Sequence, residues 1–229
     1  MQAFEVNTGV VVRMLEAVRQ HRAAGAFDPV VLVIGSGEQY GRHERMAMPL
    51  GEDAECRPSS LYAATKLAQE VFALEAARAD GTRVICTRSF NHSGRGQAAQ
   101  FLLPSLVARA LRVKSGVSAR LEVGNTDSVR DFLHVEDTVR AYVRLVEDGI
   151  AGEVYNVCSG EGVTVGDLAA EVLRVVGIDA ELAPIEALRR RSDVPILVGQ
   201  NRKLCVDTGW MPHHPRSDII TDLIDAASH

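Results

Sequence analysis

A chain of 229 residues with 46% hydrophobic content is long enough to bury a real core, as one large domain or two small ones. Lys and Arg total 25 against 30 Asp and Glu, a formal net charge of −5, which excludes a broad basic surface for nucleic acid or anionic lipid and leaves only small polyanions met by a few local arginines. Cys56, Cys86, Cys158 and Cys205 stand far apart without a Cys-x-x-Cys pair or flanking histidines, so neither a metal site nor a disulfide framework is expected.

The elements follow in chain order. Phe4, Val6, Val10, Val11, Met14, Leu15 and Val18 recur at helical spacing, and polar Gln20 to Gly25 closes that helix. Its sequence is not a basic leader followed by an apolar core, and no stretch approaches the roughly 18 apolar residues of a membrane span, so a cytoplasmic, membrane-free protein is expected. Val30 to Ile34 is an apolar run without alternation, the pattern of a parallel strand covered on both faces and needing neighbours on both edges. Gly35 to Gly37 forms a loop at its carboxyl end, where open α/β sheets hold their ligands, which places Ser36 and Glu38 well. Leu61 to Ala79 is a long helix with Ser59 or Ser60 as N-cap and Gly81 as its stop.

Thr82 to Thr87 is the next strand, with Arg88 to Gln97 as its polar exit loop. Phe101 to Val113 follows as helix, Arg120 to Val123 as a short strand, and Val135 to Glu147 as a helix with acidic residues at its positive end. Val154 to Val157 is a further strand, and Thr164-Val-Gly-Asp167 resembles a capping box that opens a helix through Val176. Asn201 to Asp207 and Asp218 to Ala227 complete the chain as helices, Gly209 closing the first. His213-His214 before Pro215 reads as turn chemistry.

One constellation carries chemistry. Tyr62 and Lys66 lie four residues apart and share a helix face. A neighbouring ammonium favours the phenolate and is expected to bring the Tyr62 proton into play nearer neutrality. A Ser36 hydroxyl delivered from the strand end would bind the same substrate oxygen, and the three groups suit carbonyl/alcohol interconversion. The spacing alone is equally that of a surface helix carrying a Tyr and a Lys.

Phe4-Glu-Val-Asn7, Ser36-Gly-Glu38-Gln-Tyr40-Gly41, Tyr62-x-x-x-Lys66, Arg88-Ser-Phe90-Asn91-His92-Ser-Gly94, Val129-Arg130-Asp131-Phe132, Tyr155-Asn-Val-Cys-Ser159-Gly160 and Arg190-Arg-Ser-Asp193-Val-Pro195 occur in this order. Together they resemble the extended short-chain dehydrogenase/reductases, within them the nucleotide-sugar group of GDP-mannose 4,6-dehydratases and GDP-4-keto-6-deoxymannose reductases. The resemblance implies an α/β fold: a partial Rossmann-type doubly wound parallel sheet over 1–94 with 132–158, and a smaller α/β nucleotide-sugar-binding domain over 95–131 with 159–229, interleaved.

By position it implies that Tyr62 is the proton donor or acceptor, that Lys66 tunes it and holds the nicotinamide ribose, and that Ser36 binds the reacting oxygen. Asn7 would order water behind Lys66, and Glu38 would be a carboxylate acting at the sugar, the alternative being a solvated loop carboxylate. His92 would meet the cofactor, while Asn91, Arg130 and Arg190 would meet the sugar diphosphate, for which forked guanidinium donors are suited. Arg190 lies in a three-arginine run, with a plain solvated patch as the alternative.

The implied partners are a nucleotide-diphosphate sugar and a second copy joined through the two long helices. The implied cofactor is NADP(H) or NAD(H). The implied reaction leans to reduction at C4 of a GDP-4-keto-6-deoxy sugar, with dehydration or epimerisation as alternatives.

Members of this family open with a strand and a Gly-x-x-Gly-x-x-Gly turn, a sequence this chain does not contain. The chain therefore reads as starting at the helix after the fourth strand. Three readings follow: a piece of a longer enzyme, a half-enzyme completed by another polypeptide, or a non-catalytic remnant or assembly module. In each, tight dinucleotide binding by this chain alone is not expected.

Overall fold

The computed structural model describes residues 2–25, 27–188 and 194–227. It opens with α1 (Gln2–Phe4), a π-helical turn over Glu5–Gly9, and α2 (Val10–Ala23). β1 (Val31–Ile34) follows, then the Ser36 loop and a 3-10 turn over Gly37–Tyr40. α3 (Leu61–Asp80) begins where the Ser60 hydroxyl accepts the Ala63 N–H and ends at Gly81, whose φ of 72° a side chain would resist. The expected cap and stop are both used. The π turn was not expected; it sits where Asn7 Nδ2 donates to Thr65 Oγ1 at 3.0 Å and the Thr8 hydroxyl donates to the Thr65 carbonyl at 3.0 Å.

β2 (Val84–Ser89) is buried throughout, because β1 and β6 (Val154–Val157) flank it in a three-stranded parallel sheet of order β1-β2-β6. The α/β expectation holds. Among the described residues β1 is paired on one edge only. Leu15, Val18 and Ala73 pack on one face of this sheet against Val31, Val33, Val84 and Cys86. On the other face Ile85, Tyr155 and Val157 meet Ala141 and Leu145 of α5 (Val135–Asp148), Leu204 of α7 (Arg202–Thr208), and Trp210.

The exit loop expected over Arg88 to Gln97 is corrected. Arg88 and Ser89 continue β2, and Asn91–Ser93 form β3, which pairs in parallel with β5 (Val129–His134). β5 also pairs antiparallel with β7 (Gly162–Thr164) and in parallel with β9 (Ile196–Leu197). Its Asp131 carboxylate, fully buried, accepts from the Ser159 N–H and hydroxyl and from the N–H groups of Gly160 and Gly199. One side chain thereby joins three segments.

The remaining elements close a separate apolar cluster. α4 (Leu102–Lys114), α6 (Val165–Val176) and α8 (Arg216–Ala227) bury Leu106, Leu168, Val172 and Ile219 against β4 (Leu121–Val123), which pairs with β8 (Leu182–Pro184). The capping box at Thr164 is present in altered form. The Asp167 N–H donates to the Thr164 hydroxyl, which in turn donates to the Asp167 carboxylate.

Candidate active site

A cleft of about 940 Å³ opens at the carboxyl end of β1, bounded by the Ser36 loop, α3, β3, α4 and β5. Ser36, Glu38, Tyr62, Lys66, Asn91, His92 and Arg130 all line it, so residues 94 positions apart in sequence converge on one space. Asn7 stands behind α3 on Thr65 and does not line the cleft. Arg190 lies outside the described residues.

α3 presents Tyr62 in its first turn and Lys66 one turn later, with the ammonium 6.0 Å from the phenol ring centroid. Lys66 Nζ donates to the Ile34 carbonyl at 2.9 Å, which ties α3 to the end of β1. Burial lowers the Lys66 pKa. The expectation that Lys66 brings the phenol towards neutrality is overturned, because the Tyr62 pKa is raised. Burial is the main cause, the negative charge of Glu38 adds to it, and a hydrogen bond from the Ser36 hydroxyl opposes both. At its distance the ammonium does not outweigh a partly desolvated phenol beside a carboxylate. The group is a protonated phenol.

Glu38 is exposed at the start of the 3-10 turn, where its N–H donates to Ser36 Oγ at 3.2 Å. The Asn91 amide donates to the Asp131 carbonyl. His92 Nδ1 lies 3.0 Å from the Phe90 carbonyl, an acceptor only, so in the neutral ring Nδ1 carries the proton and Nε2 the lone pair. Arg130 donates to the Val129 carbonyl at 2.8 Å.

Several groups escaped the sequence reading. Tyr142 of α5 places a second phenol in the cleft, hydrogen-bonded to Ser89 at 2.8 Å. Its pKa is raised by burial, against the Ser89 hydrogen bond and with a further push from Tyr62. Nothing in the α5 pattern distinguishes it from a packing aromatic. Arg109 of α4 also lines the cleft, with its guanidinium held by the Ser105 carbonyl and hydroxyl and by the Glu122 carbonyl. Gln39 was visible as the closing residue of Ser36-Gly-Glu-Gln39, a capping box, and it does close one.

His134, Glu136 and His214 offer possible ligand atoms within 4.8 Å of one another. The His134 Nδ1 accepts the Glu136 N–H as the N-cap of α5, so in the neutral ring its Nε2 carries the proton and faces Asp222 at 3.3 Å. A metal at Nε2 would put a proton on Nδ1 and break that cap. The arrangement is that of a helix cap stacked on a turn histidine, with ring centroids 4.3 Å apart.

A family model described as GDP-mannose 4,6 dehydratase matches residues 1–223. A GDP-6-deoxy-D-mannose reductase of Pseudomonas aeruginosa is 35% identical over 212 residues, which are 92% of this chain and 68% of that protein. The structure of RMD from Pseudomonas aeruginosa complexed with NADPH superposes with a TM-score of 0.88 at 32% identity, over 99% of this chain and 75% of that one. A dTDP-glucose 4,6-dehydratase of Bacillus anthracis in complex with NAD shares the fold, with a TM-score of 0.86 at 22% identity over 98% of this chain and 68% of that one.

Proposed function

The chain belongs to the GDP-mannose 4,6 dehydratase family, and from that premise we propose that it forms the proton-transfer and sugar-binding part of a site that reduces the C4 keto group of a GDP-4-keto-6-deoxy-hexose. The observation that carries this reading is the convergence of the Tyr62 phenol, the Ser36 hydroxyl and the Lys66 ammonium on one cleft at the end of β1. A carbonyl that accepts hydride becomes an alkoxide and needs a proton at once. Tyr62 gives its proton to that oxygen while the Ser36 hydroxyl holds it in place. The Lys66 ammonium, on the same helix face, stabilises the phenolate left behind until a solvent proton replaces the one transferred.

NADPH, when bound, supplies the hydride. Tyr62, Lys66 and His92 are the residues suited to its nicotinamide half, since they bring a phenol, an ammonium and an imidazole lone pair to one wall. No Gly-x-x-Gly-x-x-Gly sequence stands in the chain to receive the pyrophosphate, so binding of NADP(H) by this chain alone is expected to be weaker than micromolar. The sugar diphosphate is assigned to Asn91, Arg130 and Arg109, with Arg190 as a further candidate. The cytoplasm is the proposed location. A homodimer is proposed through the π turn with α2, and α3, where Val6, Val10, Leu61 and Phe72 are exposed apolar side chains.

Dehydration of GDP-mannose is the second reading, favoured by one observation: Glu38 lies close enough to Tyr62 to raise its pKa. There the carboxylate would assist loss of water across C5 and C6. Incubating the chain, completed by a Gly-x-x-Gly-x-x-Gly dinucleotide-binding segment, and NADPH with the 4-keto-6-deoxy sugar, and separately with GDP-mannose, decides between them. Consumption of NADPH with the keto sugar alone, abolished by Tyr62→Phe, is the expected result; turnover that survives Tyr62→Phe removes the assignment.

A further inference from the structure

The Ser36 loop is held from beneath by a buried chain of polar groups. The Ser36 N–H donates to Gln39 Oε1 at 2.8 Å, and Gln39 Nε2 donates to Glu70 Oε2 at 2.8 Å. The orientation of that amide is unambiguous, because a backbone N–H only donates and a carboxylate only accepts. Glu70 is fixed in turn by the Arg88 fork, with Nε at 3.0 Å and the second nitrogen at 2.7 Å. Arg88 also donates to the Glu52 carbonyl and lies over the Tyr40 ring at 4.7 Å. Gln39, Glu70 and Arg88 are all buried, so each donor and acceptor must find its partner inside the protein.

An ordinary capping glutamine faces solvent and anchors nothing else. Here its far end is tied to α3, the helix that also presents Tyr62 two turns earlier. The floor beside it is equally tight. A Cβ on Gly35 would lie 2.2 Å from the Thr87 carbonyl oxygen and 2.4 Å from Gln39 Oε1, so the loop sits directly on β2 and on this amide. Ser36 and Tyr62 are thereby referenced to one rigid element by two routes, through the Gln39 amide and through the α3 backbone.

We infer that Gln39, clamped between the Ser36 main chain and the Glu70–Arg88 ion pair, is a positioning residue that sets the Ser36 hydroxyl against the Tyr62 phenol. Its catalytic meaning rests on the proposed function, but the geometric claim stands apart from it and is tested without substrate or cofactor. The readout is Tyr62 itself, since a Ser36 hydroxyl turned towards the phenol favours its ionised form.

The chain is prepared with 3-fluorotyrosine, whose phenol ionises at lower pH than that of tyrosine, and the Tyr62 resonance is assigned with Tyr62→Phe. Ser36→Ala is expected to raise the Tyr62 titration midpoint. Gln39→Leu is expected to raise it likewise, and to add nothing in the Ser36→Ala background. Gln39→Met, which keeps the side chain's length and apolar stem but neither hydrogen bond, leaves the Glu70–Arg88 pair in place and is expected to raise the midpoint as Gln39→Leu does. A folded Gln39→Leu protein with an unmoved midpoint overturns the inference, as does a shift that persists undiminished without the Ser36 hydroxyl. Should Gln39→Leu fail to fold, Gln39→Met decides: a midpoint displaced as in Ser36→Ala supports the inference, and a parent-like one overturns it.

Discussion

The three-stranded sheet and the helical cluster of α4, α6 and α8 are held together by different physics. Beside β1, β2 and β6 the interior is polar in part: Gln39, Glu70 and Arg88 are buried and bonded in a chain, and the buried Asn156 amide donates to the Leu50 carbonyl and accepts from the Tyr40 hydroxyl. Around Leu106, Leu168 and Ile219 the interior is apolar throughout. Apolar packing is tolerant of direction, whereas buried hydrogen bonds define where each atom must lie and penalise every alternative. The proton-handling residues stand on the first kind of interior. Stability that does not depend on atomic aim is concentrated in the second.

The sharpest way to break this contrast is Glu70→Ala. It leaves the Arg88 guanidinium buried and without its carboxylate, and is expected to cost about 3–5 kcal/mol in urea unfolding, with most of the loss recovered when Arg88→Met is added. An unchanged unfolding midpoint for the single variant would mean that the polar interior is not constrained as its geometry implies. Leu168→Ala, in the apolar cluster, is expected to cost about 2–5 kcal/mol by opening a cavity, while the Tyr62 titration stays at its parent value. A moved titration would show the two regions to be coupled.

A third effect, confined to one pH window, comes from Asp131. Burial pushes its pKa up to about 6, against the four hydrogen bonds that lower it. A carboxyl that is easier to protonate folded than unfolded binds more protons in the native state between about pH 4 and 6, so stability falls as pH rises through that window. The loss amounts to about 3 kcal/mol when ionisation is complete. Thermal unfolding from pH 4 to 7 is expected to show this component in the parent and not in Asp131→Asn, which cannot ionise and which is less stable at every pH because its NH2 faces the donors of the Ser159 loop.

What could be read in advance was whatever depended on neighbours in sequence. Ser60 and Gly81 bound α3 as their types require, Val31 to Ile34 is a strand, and the four-residue step from Tyr62 to Lys66 does place both at one cleft. The short strands over Asn91–Ser93, Val129–His134, Gly162–Thr164, Leu182–Pro184 and Ile196–Leu197 were not foreseen. Segments such as Val-Arg-Asp-Phe-Leu-His carry charge in mid-strand, and their pairing depends on partners tens of residues away. The Tyr62 proton affinity was misjudged for a related reason. Spacing along a helix supplies the ammonium, but burial and the approach of Glu38 come from elsewhere in the fold.

The sequence by itself determined the main helices, the strands β1, β2, β4 and β6 and the residue types that meet at the cleft, because side-chain period and capping act over a few residues. Only the tertiary structure decided that Gln39 reaches Glu70, that Glu70 meets Arg88, and that the phenol stays protonated. Those outcomes depend on which groups lose water together, and desolvation is a property of the packed chain.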